Sequence, residues 1–270
     1  MKVAVIQLNS KSDKQENLRK AKEYIIQAVQ SGAELISLPE YFNFMGEDHE
    51  KRFAAESIPN GETPRMLSEL ARENEVFIHA GSIVEKFTEE KSYNTSFIIN
   101  PNGEVIGKYN KIHLFDIEIN GMPSYKESST IQGGDSPVLV DLPFGKAGLS
   151  ICYDLRFPEL FRNHAVNGAK VLFVPAAFTQ YTGMLHWEVL LRARAIENQC
   201  YVIAAGQYGS TAPGKACYGN SMIIDPWGTV IARAPEDEGF IMAEMKMERV
   251  ENARESIPCL AHRKLSFVSK

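Results

Sequence analysis

Short apolar runs alternate along the chain with longer stretches in which apolar residues recur every three or four positions. Val3 to Leu8 is the first run and Leu35 to Leu38 the second. Both are too short for a helix and show no strict alternation, as expected of strands buried on both faces. Between them Leu18, Ala21, Ile25, Ala28 and Val29 share one helical face, with Ser12 and Asp13 as candidate caps and Gly32 as a stop. Strand, helix and strand make a βαβ unit, which implies a parallel pair. The pattern goes on to predict a helix over Thr63 to Asn74, strands at Val76 to His79 and Ser82 to Lys86, and a hairpin from Tyr93 to Lys108. That hairpin turns at Asn100-Pro101-Asn102-Gly103.

The second half of the chain repeats this grammar. YNTSFIINPNGEVI (93–106) aligns with YGNSMIIDPWGTVI (218–231) at 8 of 14 positions, GAELISLPE (32–40) matches GAKVLFVPA (168–176), and VAVIQL (3–8) has the same place as AGLSIC (147–152). Turn chemistry alone makes Pro-Gly hairpins look alike, but three matches in one order point to a duplication. Two β-α-β-plus-hairpin halves pair most simply as two sheets face to face with helices outside. The predicted class is therefore α/β, a four-layer αββα sandwich with pseudo-two-fold halves, in one domain over residues 1–270. A helix is predicted over Met184 to Gln199. Residues 247–270 read as a short helix and a charged tail that pack on the surface or on a partner subunit.

Composition narrows the class of partner. Apolar residues are 44% and charged residues 23%, an ordinary globular balance. The 29 Lys+Arg against 34 Asp+Glu give a net charge of −5 with no basic block, so nucleic acid and anionic membrane are not expected partners and a small molecule is. No apolar run approaches the roughly 18 residues of a membrane span, and the first residues read as a strand rather than a signal peptide. A cytoplasmic chain is expected, with Cys152, Cys200, Cys217 and Cys259 reduced. The six histidines include no HxxxH or HxH pair, so no metal is expected.

Three segments carry reactive side chains. In Gly148 to Glu159 an apolar strand ends at Cys152, and a helix follows with Pro158 in its first turn. A thiol there sits where open α/β sheets bind ligands, and a helix N-terminus or a nearby cation would favour the thiolate. The local string leaves both a nucleophile and a buried structural cysteine open. Glu40, in SLPEYF, ends the strand that matches 168–176. Walled by Pro39, Tyr41 and Phe42 it would be desolvated and suited to proton transfer, the alternative being a solvated surface acid. Lys111, in KYNKIHLFD, is either a surface lysine or, given Tyr109, Ile112 and Leu114 around it, turned inward.

In that order, LPEYF, KYNKIHLFD and GLSICYDLRFPEL resemble the Glu-Lys-Cys triad of the nitrilase superfamily of carbon–nitrogen hydrolases. The resemblance runs nearly the whole chain. It implies an αββα sandwich, a thiol hydrolase without a cofactor, and a homodimer or higher homo-oligomer in which sandwiches associate through helices beside the nucleophile. Carried over by motif, Glu40 is the general base, Lys111 the oxyanion-stabilising cation and Cys152 the nucleophile, while Glu127 in YKESST matches an additional active-site glutamate. HWEVLLRARAIENQCYVIAAGQYG and the second hairpin resemble the Nit branch, whose amidases act on deaminated glutathione and on ω-amides such as 2-oxoglutaramate. The implied reaction cleaves the C–N bond of a small carboxylate-bearing amide through a thioester on Cys152, with release of ammonia. The Tyr153 N–H is expected to share the oxyanion with Lys111. Arg156 is placed to bind a substrate carboxylate, or else to bond its own helix or Glu159. Phe178, Thr179 and Tyr181 are pocket-wall candidates. A binding or redox-sensing protein on the same fold is the contrasting expectation, but a sensor needs only the thiol.

Overall fold

The computed structural model describes residues 1–118, 125–212 and 215–265. Two sheets hold the chain together, one of seven strands and one of six. In the first, Lys2–Gln7 runs parallel to Leu35–Ser37, which runs parallel to Phe77–His79; the hairpin Ser92–Ile99 and Val105–Asn110 follows, with Ile83–Lys86 also paired to Ser92–Ile99. In the second, Gly145–Leu149, Ala169–Phe173 and Tyr201–Ala204 are parallel and lead into the hairpin Met222–Ile224 and Val230–Arg233. Each half also gives away a strand. Leu139–Leu142 pairs antiparallel with Gly145–Leu149 in the second sheet, and Gly239–Glu244 pairs antiparallel with Lys2–Gln7 in the first.

Side-chain alternation along the first strand sorts the layers. Ala4 and Ile6 pack with Leu18, Ala21 and Ile25 of helix α1 (Lys14–Gln30), which Asp13 caps by accepting from Glu16 N. After the short helix α2 (Asp48–Ala54), helix α3 (Glu62–Asn74) adds Leu67, Leu70 and Ala71 to that same core. Val3 and Val5 point the other way and join Ala147, Leu149, Val171 and Phe173 of the second sheet. Helices α4 (Pro158–Val166) and α5 (Gln180–Asn198) then cover that sheet through Phe161, Trp187 and Leu191. This is the αββα sandwich expected of the duplication. The His79 and Phe173 rings stack 4.2 Å apart and bridge the two sheets. Among the described residues no helix is long and apolar enough to cross a membrane.

The repeat extends to backbone detail. Gly103 and Gly228 both turn at φ +80°, where a side chain is disfavoured, and each hairpin shifts register by a bulge beside its turn. Two elements differ from expectation. Helix α2 has no apolar stripe, since Phe53 is 76% exposed, so periodicity did not reveal it. Helix α5 starts at Gln180 rather than Met184, because Gly183, a poor helix former, is needed inside it: a Cβ there would lie 2.3 Å from Tyr218. Helix α6 (Glu248–Ser256) packs on its own chain, with Gln199 Nε2 donating to Ala253 O at 2.8 Å and Ile257 O at 2.7 Å. The end of the expected tail, 266–270, lies outside the described residues.

Burial of His79 gives the fold a pH dependence. Its ring nitrogens lie 2.8 Å from Ser37 Oγ and 2.9 Å from Ser96 Oγ, and burial pushes its pKa from 6.5 down to about 3. Below pH 6.5 the unfolded chain takes up a proton that the folded one refuses until about pH 3. Stability therefore falls on acidification through that window, with a contribution of up to about 1.4 kcal/mol per pH unit. Urea unfolding is expected to lose stability more steeply on acidification in the wild type than in His79→Gln, and equal slopes would contradict this account.

Candidate active site

Strands from both sheets end around a cavity of about 610 Å³. The Glu40 wall follows Leu35–Ser37: Leu38 N donates to His79 O at 3.0 Å, and Tyr41 takes a left-handed φ of +53°. Gly81 presses against this bend so closely that a Cβ would meet Pro39 O at 2.1 Å. Opposite, Cys152 itself is left-handed at φ +48°, a conformation that costs a non-glycine residue on the order of 1–3 kcal/mol. Several bonds offset that strain. Cys152 N donates to Pro175 O at 2.9 Å, and a 3-10 turn runs over Cys152–Arg156. The carboxylate of Asp154, fully buried, accepts from Ile151 N at 2.8 Å, Tyr109 Oη at 2.8 Å and His113 N at 3.1 Å. From helix α5, Arg194 donates to Leu155 O.

Glu40, Lys111 and Glu127 are each about 2% exposed. Lys111 Nζ lies 3.0 Å from Glu40 Oε1, 3.2 Å from Glu127 Oε1 and 2.9 Å from Glu127 Oε2. Glu127 also accepts from Tyr41 Oη at 3.0 Å, Asn94 Nδ2 at 3.2 Å and Phe115 N at 2.7 Å, which fills every lone-pair site it has. Burial alone would raise its pKa, but the Lys111 ammonium and the Phe115 N–H hold it at about 2. For Lys111, burial alone would lower the pKa; the charges of Glu127 and Glu40 instead drive it well above the usual range. Glu40 accepts from Lys111, from Asn94 Nδ2 at 2.9 Å and, on Oε2, from Ala177 N at 2.7 Å. It keeps one site open, and its charge acts on the Cys152 thiol.

That thiol is not poised as a thiolate. Burial and then the Glu40 charge push its pKa well above the ordinary value, against a smaller opposing pull from Lys111. The sequence expectation that a cation and a helix N-terminus would favour thiolate is therefore corrected: the resting sulfur is protonated and needs a base.

All the residues singled out from the sequence line this one cavity. Tyr153 follows Cys152 in the 3-10 turn, ahead of its first internal bond from Asp154 N, and its ring meets Phe115 edge-on at 5.1 Å. Arg156 lies over the Phe178 ring at 5.1 Å and shares a hydrogen bond with His186 Nδ1 at 3.2 Å. Among the described residues no carboxylate pairs with it, Glu159 included. Thr179 caps α5 and Tyr181 is half-exposed at the cavity edge. Sequence reasoning placed Tyr41 only as a wall of Glu40 and did not single out Asn94, Asp154 or Lys51 as members of the site. Lys51 is buried against Tyr41 and donates to Tyr125 Oη at 2.9 Å. Asn94 had one available signal: its counterpart in the second hairpin is Gly219. Among the described residues no three His, Cys, Asp or Glu side chains group as a metal site.

The model of the carbon-nitrogen hydrolase family matches residues 2–255. The chain belongs to the carbon–nitrogen hydrolase family. A protein of Synechocystis sp. named deaminated glutathione amidase is 46% identical over 264 residues, which cover 96% of this chain and 97% of that one. The crystal structure of Caenorhabditis elegans NitFhit superimposes with a TM-score of 0.91 at 40% identity over 97% of this chain, which spans 65% of that longer one. Saccharomyces cerevisiae Nit3, a member of branch 10 of the nitrilase superfamily, gives 0.87 at 35% identity, with 96% and 94% covered.

The electrostatics of this carbon–nitrogen hydrolase can be checked at the sulfur. Removing the Glu40 charge in Glu40→Gln is expected to let Cys152 ionise at lower pH than in the wild type, whereas Lys111→Met shifts it higher. Thiolate absorbance, read against Cys152→Ser, measures both; a Glu40→Gln titration unmoved or moved upward contradicts the assignment.

Proposed function

We propose that this hydrolase is a thiol amidase for a small carboxylate-bearing amide, with deaminated glutathione the first candidate and 2-oxoglutaramate the alternative. The observation that carries the mechanism is a buried thiol whose ionisation the Glu40 charge opposes, Glu40 being the one carboxylate of the cluster with a lone pair to spare. As sulfur attacks the amide carbonyl, its proton passes to Glu40. The developing oxyanion is met by the Lys111 ammonium and the Tyr153 N–H, donors already in place around the cavity that Cys152 lines. Cys152 N cannot serve there because Pro175 O occupies it. Protonated Glu40 then hands its proton to the leaving nitrogen, and a thioester remains on Cys152. Water deprotonated by Glu40 hydrolyses the thioester, which returns the thiol and frees a carboxylate. Glu127, saturated with donors, keeps Lys111 charged and in place.

Arg156 supports the choice of substrate class. A guanidinium lining the cavity with no carboxylate partner among the described residues suits a substrate carboxylate. The names borne by relatives at this level of identity favour deaminated glutathione among such amides. Its scissile amide is secondary, so the leaving group is a peptide amine rather than the ammonia expected from the sequence. The four free cysteines suit a reducing, cytoplasmic setting.

Helix α5 beside the nucleophile turn leaves Met184, Leu185, Val189 and Ile196 more than half exposed. We propose that a second copy of the chain covers this face. Sedimentation velocity is expected to show a dimer that Leu185→Glu with Val189→Glu converts to monomer; a wild-type monomer would contradict it.

Activity is tested on deaminated glutathione, 2-oxoglutaramate, glutamine and a simple nitrile, with both ammonia and free amine measured. Cys152→Ala is expected to abolish turnover, and Glu40→Gln to lower it by at least about 100-fold while the protein stays folded. Arg156→Leu should raise KM for carboxylate-bearing amides and spare neutral ones. Turnover that survives Cys152→Ala removes the thiol mechanism, and equal effects of Arg156→Leu on both substrate kinds remove the anchor.

A further inference from the structure

Asn94 lies in the strand Ser92–Ile99, fully buried. Its Nδ2 is 2.9 Å from Glu40 Oε1 and 3.2 Å from Glu127 Oε1, and Lys111 Nζ is 3.0 and 3.2 Å from the same two oxygens. Two nitrogens and two oxygens thus alternate around a closed four-atom ring. The side-chain orientation is forced: the opposite flip would aim Oδ1 at two carboxylates. Oδ1 is buried without a partner among the described residues, a cost set against two bonds to charged acceptors. The backbone holds the ring as well, since Lys111 N donates to Asn94 O at 2.9 Å.

Counting lone pairs gives Asn94 a task. Lys111 and Asn94 together occupy both sites on Glu40 Oε1, and Ala177 N takes one of the two on Oε2. We propose that Asn94 is a positioning residue for proton transfer, which saturates Glu40 Oε1 and so directs the Cys152 proton to Oε2. This assignment depends on Glu40 being the general base of the reaction proposed above. The duplicated half supports a specific role rather than a demand of the fold. Where the first half has Glu40 and Asn94, the second has Ala176 and, between two strands, Gly219, and the hairpin Met222–Ile224 and Val230–Arg233 still pairs beside Tyr201–Ala204 as its counterpart does in the first sheet.

Losing a donor makes an ionised carboxylate easier to protonate, so the acid limb of the pH profile should move to higher pH. In Asn94→Ala the acid limb of kcat/KM is expected to rise by about one pH unit, with kcat reduced about tenfold and KM within about twofold of wild type. Asn94→Asp keeps the shape, adds a like charge, and should move the limb further. A residue that merely filled space would lower the yield of folded enzyme and leave the limb in place. An unmoved limb in whichever variant folds therefore overturns the proposal. The rate of Cys152 alkylation by chloroacetamide, followed against pH, reads the same limb without turnover. If alkylation shows the shift while the wild type hydrolyses no amide of the panel, Asn94 keeps its role and the amidase assignment falls.

Discussion

Lys111 carries its charge while almost fully buried, and it does so because two ionised carboxylates lie within 3.2 Å of it. Buried ions are costly to desolvate, and their attraction offsets that cost only when every remaining donor and acceptor is also matched. The matching is what the surrounding structure supplies: Tyr41 Oη, Phe115 N and Asn94 for Glu127, and Ala177 N with Asn94 for Glu40. Removing the Lys111 charge would strand both carboxylates, a loss of about 3–5 kcal/mol for a buried pair. With two carboxylates against one ammonium the cluster is negative overall, which is why the sulfur beside it rests as a thiol. The same excess that suppresses the thiolate provides the base that generates it on demand.

The two bends that present the reacting groups are built differently from the strands that precede them. Glu40 sits at a bend wedged by Gly81, and Cys152 occupies the strained position of its own turn. Asp154 then ties that turn to the segment carrying Lys111, through Tyr109 and His113. Nucleophile and cation are thereby set by one buried carboxylate that itself need not meet substrate.

Much of this was legible in the sequence, and the divide has a physical basis. The layers follow from apolar periodicity and the internal repeat, which report burial directly; Glu40, Lys111 and Cys152 stand in strings whose order along the chain carries the family pattern. The roles of Asn94 and Tyr41 were not legible because they exist only once distant strand ends meet. Asp154 lies inside the nucleophile string, yet its partners Tyr109 and His113 are 45 and 41 residues away. Helix α2 escaped because its seven residues have no apolar stripe to read. The expectation that a cation would favour the thiolate at Cys152 gave no weight to burial, which with the Glu40 charge outweighs Lys111.

The exchange of edge strands ties assembly to completion. Glu40 and Lys111 belong to the first half and Cys152 to the second, so neither half holds a working set. Lys2–Gln7 is made well before Gly239–Glu244, the strand that covers its open side. Until the two strands pair, that edge stays open and the first sheet unfinished, so each half needs the other before the sandwich can close.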